Sequence, residues 1–231
     1  MGDEKPLPFQ KITGGIVKFH HPFSCLAVGP SSAGKTHFLL SLIKHRHAMI
    51  TPRIDRVVYC YKRYQKVFDD VIRQGDGGVE FVLGHEYKHD PKQNTLLILD
   101  DMLLEASLPL AEIFTVRVHH DNLSVIYVSH TLFYNDPQFR LASLNTQYFI
   151  LFRSPRGHGQ VSHLAGQIFT HDKFKRRKLV RAYADATLEP FSYLLVDLLP
   201  LTPNTVRLRA DILPTEGLNV EGKALTKSYP L

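Results

Sequence analysis

The chain has 231 residues, 44% of them hydrophobic, and a formal net charge of +6. A chain of this length can bury one sizeable core, which favours a single α/β domain and argues against a multidomain protein. It contains no run of about eighteen apolar residues and no apolar signal core near its N-terminus, so we expect a soluble, intracellular protein that does not contact a membrane.

The first strongly patterned segment, residues 29–36, reads Gly-Pro-Ser-Ser-Ala-Gly-Lys-Thr and matches the phosphate-loop pattern G-x-x-x-x-G-K-[ST]. It follows an apolar run at 23–28 and precedes large apolar residues at helical spacing over 37–44. A strand, a glycine-rich turn and a helix N-terminus offer phosphates both N–H donors and the positive end of a helix dipole. The segment therefore predicts a nucleoside triphosphate site made by Gly29, Pro30, Ser31, Ser32, Ala33, Gly34, Lys35 and Thr36.

Four residues of this loop have specific expected roles. Gly29 and Gly34 let the backbone curl so that successive N–H groups converge on the phosphates. Lys35 is expected to reach the β and γ oxygens of ATP as a catalytic residue, and the Thr36 hydroxyl is expected to bind Mg²⁺.

The rest of the chain alternates between strand and helix patterns. Strands are predicted over 56–61, 79–83, 95–101, 123–130, 147–152, 192–198 and 205–212. Helices are predicted over 64–73, 103–118 with an interruption near Pro109, 137–144, 161–169 and 171–184. Such alternation predicts an α/β fold with a mainly parallel sheet flanked by helices. Residues 1–18 are then an N-terminal extension, 19–214 the phosphate-loop domain and 215–231 a loose C-terminal tail.

Two acids end the buried strand pattern Thr-Leu-Leu-Ile-Leu, namely Asp100 and Asp101. Because carboxylates at strand ends bind Mg²⁺ and orient water in phosphate-loop enzymes, we assign Asp100 to the metal and Asp101 to the attacking water. An Asp-Asp pair can also simply cap the following helix, an interpretation that the preceding phosphate loop disfavours.

A separate strand at 123–130 lies between these acids and the last core strand, as in hydrolases rather than nucleotide kinases. Its tip, Ser129-His130, is predicted to face the γ-phosphate, although His130 could also only cap the next turn. Just upstream, Arg117 is either an arginine finger for the nucleotide of a neighbouring subunit or an ordinary exposed arginine at a helix end. Arg140 and Arg153 are further candidates for the finger.

Charge and metal-binding residues leave two further expectations. Lys173, Arg181 and four basic residues between them could contact a polyanion or form a solvated helix face, and the sequence leaves both open. The two cysteines lie in apolar runs and are expected to be buried, reduced thiols. Neighbouring histidines at 20–21 and 119–120 point to opposite faces of a strand and lack zinc spacing, so no zinc site is expected.

These segments carry a resemblance to a known family. Residues 29–36, 96–101, 117–128, 132–133 and 144–156 are similar to the genome-packaging ATPases of double-stranded DNA viruses, part of the FtsK/HerA class. Within that group the chain resembles the ATPases of Maverick/Polinton elements and adintovirus-like viruses, over about residues 19–214. The phosphate loop is common to many NTPases, whereas the Arg-x-His-His stretch and the segment at 144–156 are specific. His130 stands where the class usually has Gln, and Gly157 where similar ATPases tend to have Asp.

The resemblance implies a P-loop NTPase fold of the additional-strand catalytic-acid type, with ATP and Mg²⁺ as cofactors. It implies a homo-oligomeric ring, a hexamer or a pentamer, that drives double-stranded DNA into a preformed capsid with capsid or packaging proteins as partners. By motif, it places Arg117 as the arginine finger. Such a protein would work at sites of virion assembly in the infected cell, in the nucleus or the cytoplasm. The alternatives are a ring helicase or translocase in DNA replication, and a nucleotide-binding assembly protein with little turnover.

Overall fold

The computed structural model describes residues 10–12, 17–73, 78–102, 109–214 and 226–231. Its strands are β1 (Gln10–Ile12), β2 (Phe19–His20), β3 (Ser24–Val28), β4 (Ile50–Thr51), β5 (Arg56–Tyr61), β6 (Val79–Leu83), β7 (Thr95–Asp100), β8 (Leu123–Ser129), β9 (Tyr148–Phe152), β10 (Tyr193–Asp197), β11 (Leu208–Ala210) and β12 (Thr226–Ser228). Its helices are α1 (Lys35–Lys44), α2 (Arg46–Met49), α3 (Phe68–Arg73), α4 (Leu110–Glu112), the π-helix π1 (Ile113–Arg117), α5 (Val118–His120), α6 (Pro137–Leu144), α7 (Gly157–Ile168) and α8 (Lys173–Ala186).

Ten of these strands form one sheet, in the order β1-β12-β11-β10-β9-β3-β8-β7-β5-β6. The strands from β9 to β6 in this order are all parallel to their neighbours. Strand β8 lies between β3, which precedes the phosphate loop, and β7, which ends in Asp100. The order and directions of these strands, with helices packed on the sheet, confirm the predicted α/β fold with a mainly parallel sheet.

The four strands at the other edge of the sheet run antiparallel to their neighbours. Strand β12 belongs to this edge, so the expectation of a loose tail over 215–231 is wrong for residues 226–231. Their place depends on Tyr229, which is buried, donates from its backbone N to Leu208 O at 2.9 Å, and donates from its hydroxyl to Asp185 at 2.7 Å. Strand β1 pairs with β12, so part of the expected N-terminal extension also joins the sheet.

Helices cover both faces of the sheet because the central strands are buried on both. Successive residues of β3 point to opposite sides: Leu26 packs in one core cluster and Ala27 in the other. The first cluster includes residues of π1, α6, α7 and α8, and the second includes residues of α1, α2 and α3. None of the described helices is both long enough and apolar enough to cross a membrane.

Several helix boundaries differ from the sequence prediction, among them those of α8, which spans Lys173–Ala186 rather than 171–184. α7 begins at Gly157 rather than at 161, and α3 begins at Phe68 rather than at 64. The segment predicted as one helix over 103–118 is described only from residue 109, where α4, π1 and α5 follow each other; residues 103–108 lie outside the described part. By contrast, α6 has the predicted bounds, since Asp136 caps it through the Phe139 N–H and Pro137 occupies its first turn.

The hydroxyl of Tyr183 joins α8 to the end of β9. It donates to Phe152 O at 3.0 Å and accepts from Ser154 N at 3.1 Å. This hydroxyl also explains Gly157, because a Cβ at residue 157 would lie 2.7 Å from it. An Asp at this position would therefore clash with Tyr183. We call this arrangement the Tyr183 link.

Candidate nucleotide-binding site

The phosphate loop leads from the end of β3 into α1. The Gly29 N–H donates to Ser129 O at 3.1 Å, which joins the start of the loop to the end of β8. Gly29 has no room for a side chain, since a Cβ there would lie 2.6 Å from the Cβ of Phe152. At the other end, Gly34 has a φ of +95°, a left-handed conformation that glycine adopts without steric cost. Gly29 is therefore required for steric reasons, and Gly34 is required by its backbone conformation.

Helix α1 presents its N-terminus to the space beside the loop. Gly34 is the N-cap residue, and no side chain of the described residues accepts a capping hydrogen bond there. The first N–H groups of any α-helix have no partner within the helix. Those of α1 are thus available to an anion, and the helix dipole favours negative charge at the same point.

An open cleft of about 460 Å³ lies beside the loop, at the carboxyl ends of the parallel strands. Ligands in open α/β sheets bind at this edge. The cleft is lined by the loop, by the ends of three strands and by an aromatic ring from beyond α8, namely by Ser31, Ser32, Ala33, Gly34, Lys35, Thr36, His37, Tyr61, Lys62, Arg63, Gln65, Asp100, Asp101, His130 and Phe191. The structure therefore brings six of the eight predicted loop residues, Ser31 to Thr36, together with both acids and His130, whereas Gly29 and Pro30 are not among the described residues that line the cleft.

Lys35 is buried, and its ammonium group is held at the base of the loop. Its Nζ donates to Gly29 O at 2.6 Å and to Pro30 O at 2.7 Å. Burial lowers the pKa of Lys35, an effect that the nearby carboxylates of Asp100 and Asp101 oppose. The two carbonyl bonds involve neutral acceptors, so a phosphate oxygen in the cleft would be a stronger partner for this ammonium group.

Asp100 is held in place by a residue that the sequence did not single out, Tyr59 on β5. The Tyr59 hydroxyl donates to Asp100 Oδ2 at 2.7 Å, and the nearby Thr36 side chain opposes the rise in the pKa of Tyr59 that burial causes. Burial raises the pKa of Asp100, whereas the Tyr59 hydrogen bond and the charge of Lys35 lower it. Tyr59 thus orients Asp100, which lines the cleft together with Thr36, the other side chain that was predicted to hold the metal.

The donor set around Tyr59 fits Mg²⁺ bound together with phosphates. A hydroxyl and a carboxylate are hard oxygen ligands, and Mg²⁺ typically takes one or two protein oxygens beside substrate phosphates and water. Within the described ranges there is no group of three or more His, Cys, Asp and Glu residues that could hold a metal. Thr36 and Asp100 would therefore hold the ion only in part.

Asp101 and His130 form the exposed part of the acidic side of the cleft. The Asp101 backbone has a φ of +59°, which is uncommon for a non-glycine residue and turns the chain sharply at the end of β7. His130 Nε2 lies 3.3 Å from Asp101 Oδ1, and its Nδ1 lies 3.5 Å from Lys35 Nζ. His130 therefore bridges the predicted water-orienting acid and the loop lysine.

Ser129, in contrast to His130, does not face the cleft as expected. Its side chain is buried, and its hydroxyl donates to Thr131 O at 2.8 Å and accepts from Thr131 N at 3.2 Å. This local turn leaves His130 as the polar side chain that β8 contributes at its end.

Arg117 lies at the end of π1, far from the cleft of its own chain. It precedes β8, whereas His130 follows it, so the length of the strand separates the two. Its Nε donates to Asp121 at 3.1 Å, and its guanidinium lies 5.6 Å from the ring centroid of Tyr87. π-Helical turns are frequent at functional sites. The described residues lining the cleft do not include Arg117, Arg140 or Arg153.

The basic stretch from Lys173 to Arg181 forms most of α8, and several of its side chains have partners within the chain. Arg176 donates to Phe169 O at 2.7 Å, just after the end of α7. Lys178 donates to Pro230 O at 2.7 Å, and Lys175 lies 3.8 Å from Asp172. Part of this charge is therefore used to hold α8 against its neighbours.

The sequence prediction missed several cleft residues. Tyr61, Lys62, Arg63 and Gln65 come from the end of β5 and the loop after it, and Phe191 comes from the segment between α8 and β10. An Arg or Tyr after a strand is too common to be singled out, and only the pairing of β5 with β7 brings these residues to Asp100. Phe191 has no neighbouring motif at all.

Comparison with known proteins gives matches only among solved structures. No protein-family model and no curated protein matches the chain. The genome packaging NTPase B204 from Sulfolobus turreted icosahedral virus 2, in complex with ATP-gammaS, aligns with a TM-score of 0.47 at 14% identity over 77% of this chain and 93% of that chain. B204, the DNA-packaging ATPase from Sulfolobus turreted icosahedral virus, aligns with a TM-score of 0.46 at 12% identity, with the same coverage.

A further match is EccC (ATPases 2 and 3) from Thermomonospora curvata, in complex with a signal sequence peptide. Its TM-score is 0.38 at 16% identity, over 55% of this chain and 29% of that chain. Identities and TM-scores this low say nothing of function, which has to be inferred from the residues of the cleft.

Proposed function

We propose that this chain is an ATPase that works as a motor in genome packaging. The observation that carries the ATPase part is the cleft itself, where Lys35, Asp100 and Asp101 meet beside an α1 N-terminus. The position of β8 between the strands of the loop and of the acids supports hydrolysis rather than transfer to a second substrate.

Five residues of the cleft have a role in this proposal: Lys35, Thr36, Asp100, Asp101 and His130. Lys35 and the α1 N–H groups bind the phosphates and neutralise charge that develops on them. Thr36 and Asp100 hold Mg²⁺, which would supply further neutralisation of the phosphates. Asp101 orients the attacking water, and His130 donates a hydrogen bond to the γ-phosphate in place of the usual Gln.

The DNA part of the proposal is supported by the resemblance of residues 117–128 and 144–156 to viral packaging ATPases, with Maverick/Polinton and adintovirus-like ATPases as the group we favour. A motor that moves any sequence needs contacts to the phosphate backbone and no base readout. The exposed Lys173 and Arg177 of α8 suit such contacts. Capsid or packaging proteins in the infected cell would then recruit the ring.

The first test is ATP hydrolysis by the wild type and by Asp101→Asn. Loss of the carboxylate that orients water is expected to lower kcat by about 10²–10⁴-fold. Asp211→Asn is a matched control, since Asp211 is also an exposed aspartate with positive φ, at +53°, and also pairs with a basic side chain. Equal rates for the wild type and Asp101→Asn would contradict the catalytic assignment and favour an assembly protein with little turnover.

The second test separates packaging from replication. Duplex translocation without strand separation is expected, and can be measured by displacement of a triplex-forming strand beside a forked-duplex unwinding assay. Unwinding without duplex translocation would contradict the packaging proposal and favour a ring helicase.

The third test concerns Arg117 as an arginine finger that acts on a neighbouring subunit. We expect Arg117→Ala to lower ring ATPase by about 10³-fold or more. A mixture of Arg117→Ala and Asp101→Asn subunits should recover part of the activity, because some interfaces then join an intact Asp101 to an intact Arg117. If the mixture recovers no activity and Arg153→Ala or Arg140→Ala abolishes ATP hydrolysis, we would assign the arginine finger to that residue and not to Arg117.

A further inference from the structure

Phe191 is an exposed aromatic side chain in an unfavourable backbone conformation. Two thirds of its surface, 67%, is accessible, and its φ is +63°. Bulky residues rarely adopt left-handed φ values, and such strain persists only where the surrounding structure imposes it. The surroundings here are rigid: Ser192 O accepts from Arg153 N at 3.0 Å, and the ring of the next residue, Tyr193, packs 4.8 Å from that of Phe38 on α1.

The position of Phe191 relative to the phosphate loop is close and specific. A Cβ on Gly34 would lie 3.1 Å from Phe191 Cβ and 3.4 Å from its Cδ1, so the ring stands directly over the glycine that begins α1. Phe191 also lines the cleft. A side chain at residue 34 would push against this ring, which gives Gly34 a second reason to be glycine.

Phe191 and the acids lie on opposite sides of the loop. In the sheet, β3 has β8 and β7 on one side, and these strands carry His130 and Asp100 at their ends. On its other side lies β9, whose end is hydrogen-bonded to the Phe191 segment through Arg153 and Ser192. The cleft therefore has an ionic side and an aromatic side with the phosphate-binding backbone between them.

A nucleoside triphosphate has the same division of chemistry, with an anionic tail at one end and a planar aromatic base at the other. We propose that Phe191 stacks on the base of the bound nucleotide and sets the affinity of the cleft for a nucleotide over a bare polyphosphate. This inference rests on the proposed function, since it assumes that the acids and Lys35 take the γ-phosphate end.

Tyr61 is the other aromatic residue at the cleft, and the structure favours Phe191 over it. Tyr61 lies at the end of β5, on the ionic side. Its ring already makes an edge contact with Tyr64 and a tilted contact with Phe68, with centroids at 5.9 and 5.4 Å. The ring of Phe191 stacks on no other ring of the described residues, and it lies on the side where the base would lie when the γ-phosphate points to Asp101.

The experiment compares binding of Mg·ATP and of magnesium tripolyphosphate to the wild type, Phe191→Ala and Phe191→Tyr by calorimetry. Loss of a stacking partner is expected to weaken ATP binding by roughly tenfold. Tripolyphosphate affinity should stay the same, and Phe191→Tyr should bind ATP like the wild type. Phe174→Ala is the matched control, because Phe174 is equally exposed, at 66%, and lies on α8. This control should bind both ligands normally.

A second variant reports on stacking without relying on affinity. The chain contains no tryptophan, so Phe191→Trp introduces a single tryptophan at the proposed base site, whose emission can be excited selectively over that of the ten tyrosines. Binding of ATP should quench its emission because the base stacks on the indole, whereas tripolyphosphate should leave the emission unchanged. The signal also shows whether the segment stays folded in the variant.

Three results would overturn the inference. The first is ATP binding to Phe191→Ala at wild-type affinity, above all if Tyr61→Ala loses it. The second is an equal loss of ATP and tripolyphosphate in Phe191→Ala, since the ring would then only shape the loop. The third is an equal response of the tryptophan to both ligands. If the wild type binds neither ligand, the proposed function fails as well, and this result is distinct from the other three.

Discussion

Two clusters of charged side chains lie at opposite ends of the parallel strands, and they are built differently. At the carboxyl end, His130 is 3.3 Å from Asp101 and 3.5 Å from Lys35, and the side chains of His130 and Asp101 are 44% and 59% exposed. At the amino end, beside the start of β9, Arg209 and Asp197 form an ion pair at 3.1 Å whose side chains are 1% and 3% exposed.

Most of the polar groups of the buried Arg209–Asp197 pair have hydrogen-bond partners. Asp197 accepts from Leu199 N and Thr202 Oγ1, both at 3.0 Å, in addition to Arg209. The cluster at the carboxyl end has fewer hydrogen-bond partners. Among the residues described, the ammonium group of Lys35 hydrogen-bonds only to two loop carbonyls and to His130. The comparison teaches that the buried pair holds the antiparallel strands together, whereas the exposed cluster is open to an incoming anion.

Asp197→Asn should give the largest effect on stability. Removing the carboxylate charge leaves the Arg209 guanidinium buried without its counterion, so we expect the free energy of unfolding to fall by about 3–5 kcal/mol. Denaturant unfolding measures it. The control is Asp211→Asn, which breaks an ion pair of the same 3.1 Å length, to Lys227, at exposed side chains and should cost less than about 1 kcal/mol. Equal losses in the two variants would show that burial does not distinguish the pairs.

Lys35→Ala should affect ATP turnover strongly and stability only slightly, the opposite of what we expect for Asp197→Asn. The expected loss in kcat is about 10²–10³-fold, because a cation aimed at the phosphates is removed. The unfolding midpoint should change little, since the desolvation that lowers the pKa of Lys35 offsets the hydrogen bonds of its ammonium group to the loop carbonyls. ATP turnover and thermal unfolding are measured on the same sample. A large loss of stability with normal turnover would reverse the roles that we assign to the two clusters.

Tyr59→Phe should give the smallest and most specific effect. Burial already raises the pKa of Asp100, and the Tyr59 hydrogen bond opposes this rise, so its removal should raise the pKa further. Because only ionised Asp100 binds Mg²⁺, activity should be lost on the acid side at a higher pH than in the wild type, with the alkaline side unchanged. The pH profile of kcat/KM measures the shift.

Tyr148→Phe is the control for a general effect of losing a buried tyrosine hydroxyl. Tyr148 is fully buried on β9, and its hydroxyl accepts from His20 N at 3.3 Å, at the amino end of the sheet. It should lose some stability without any shift of the acid limb. An unshifted limb in Tyr59→Phe would mean that Tyr59 serves the core and not the metal site.

The central part of the fold could be predicted from the sequence because its signals are local. The apolar runs that become β3, β5, β7 and β8 are buried on both faces, so they need no alternation to be recognised. The phosphate loop and the acids follow such strands directly. Parallel strands place their carboxyl ends at one edge, which is why residues so distant in the sequence share one cleft.

The rest depends on contacts that the sequence does not display. Tyr59 reads as one more apolar residue of β5, and its hydrogen bond to Asp100 exists only because β5 pairs with β7. The strand at 226–228 reads as a polar tail, and it is Tyr229 in the core that holds it. Phe191 has no pattern around it, and its place over Gly34 follows from the packing of α8 and β10.

The Tyr183 link limits how the proposed motor could work. It ties α8 to the end of β9, and Phe152 of β9 in turn packs against Gly29 of the phosphate loop. The basic helix and the phosphate loop are therefore connected through the end of β9. If α8 grips DNA in the proposed motor, this connection disfavours a mechanism in which α8 swings as a lever when ATP is cleaved. It favours a step along DNA that comes from whole subunits tilting against each other around the proposed ring.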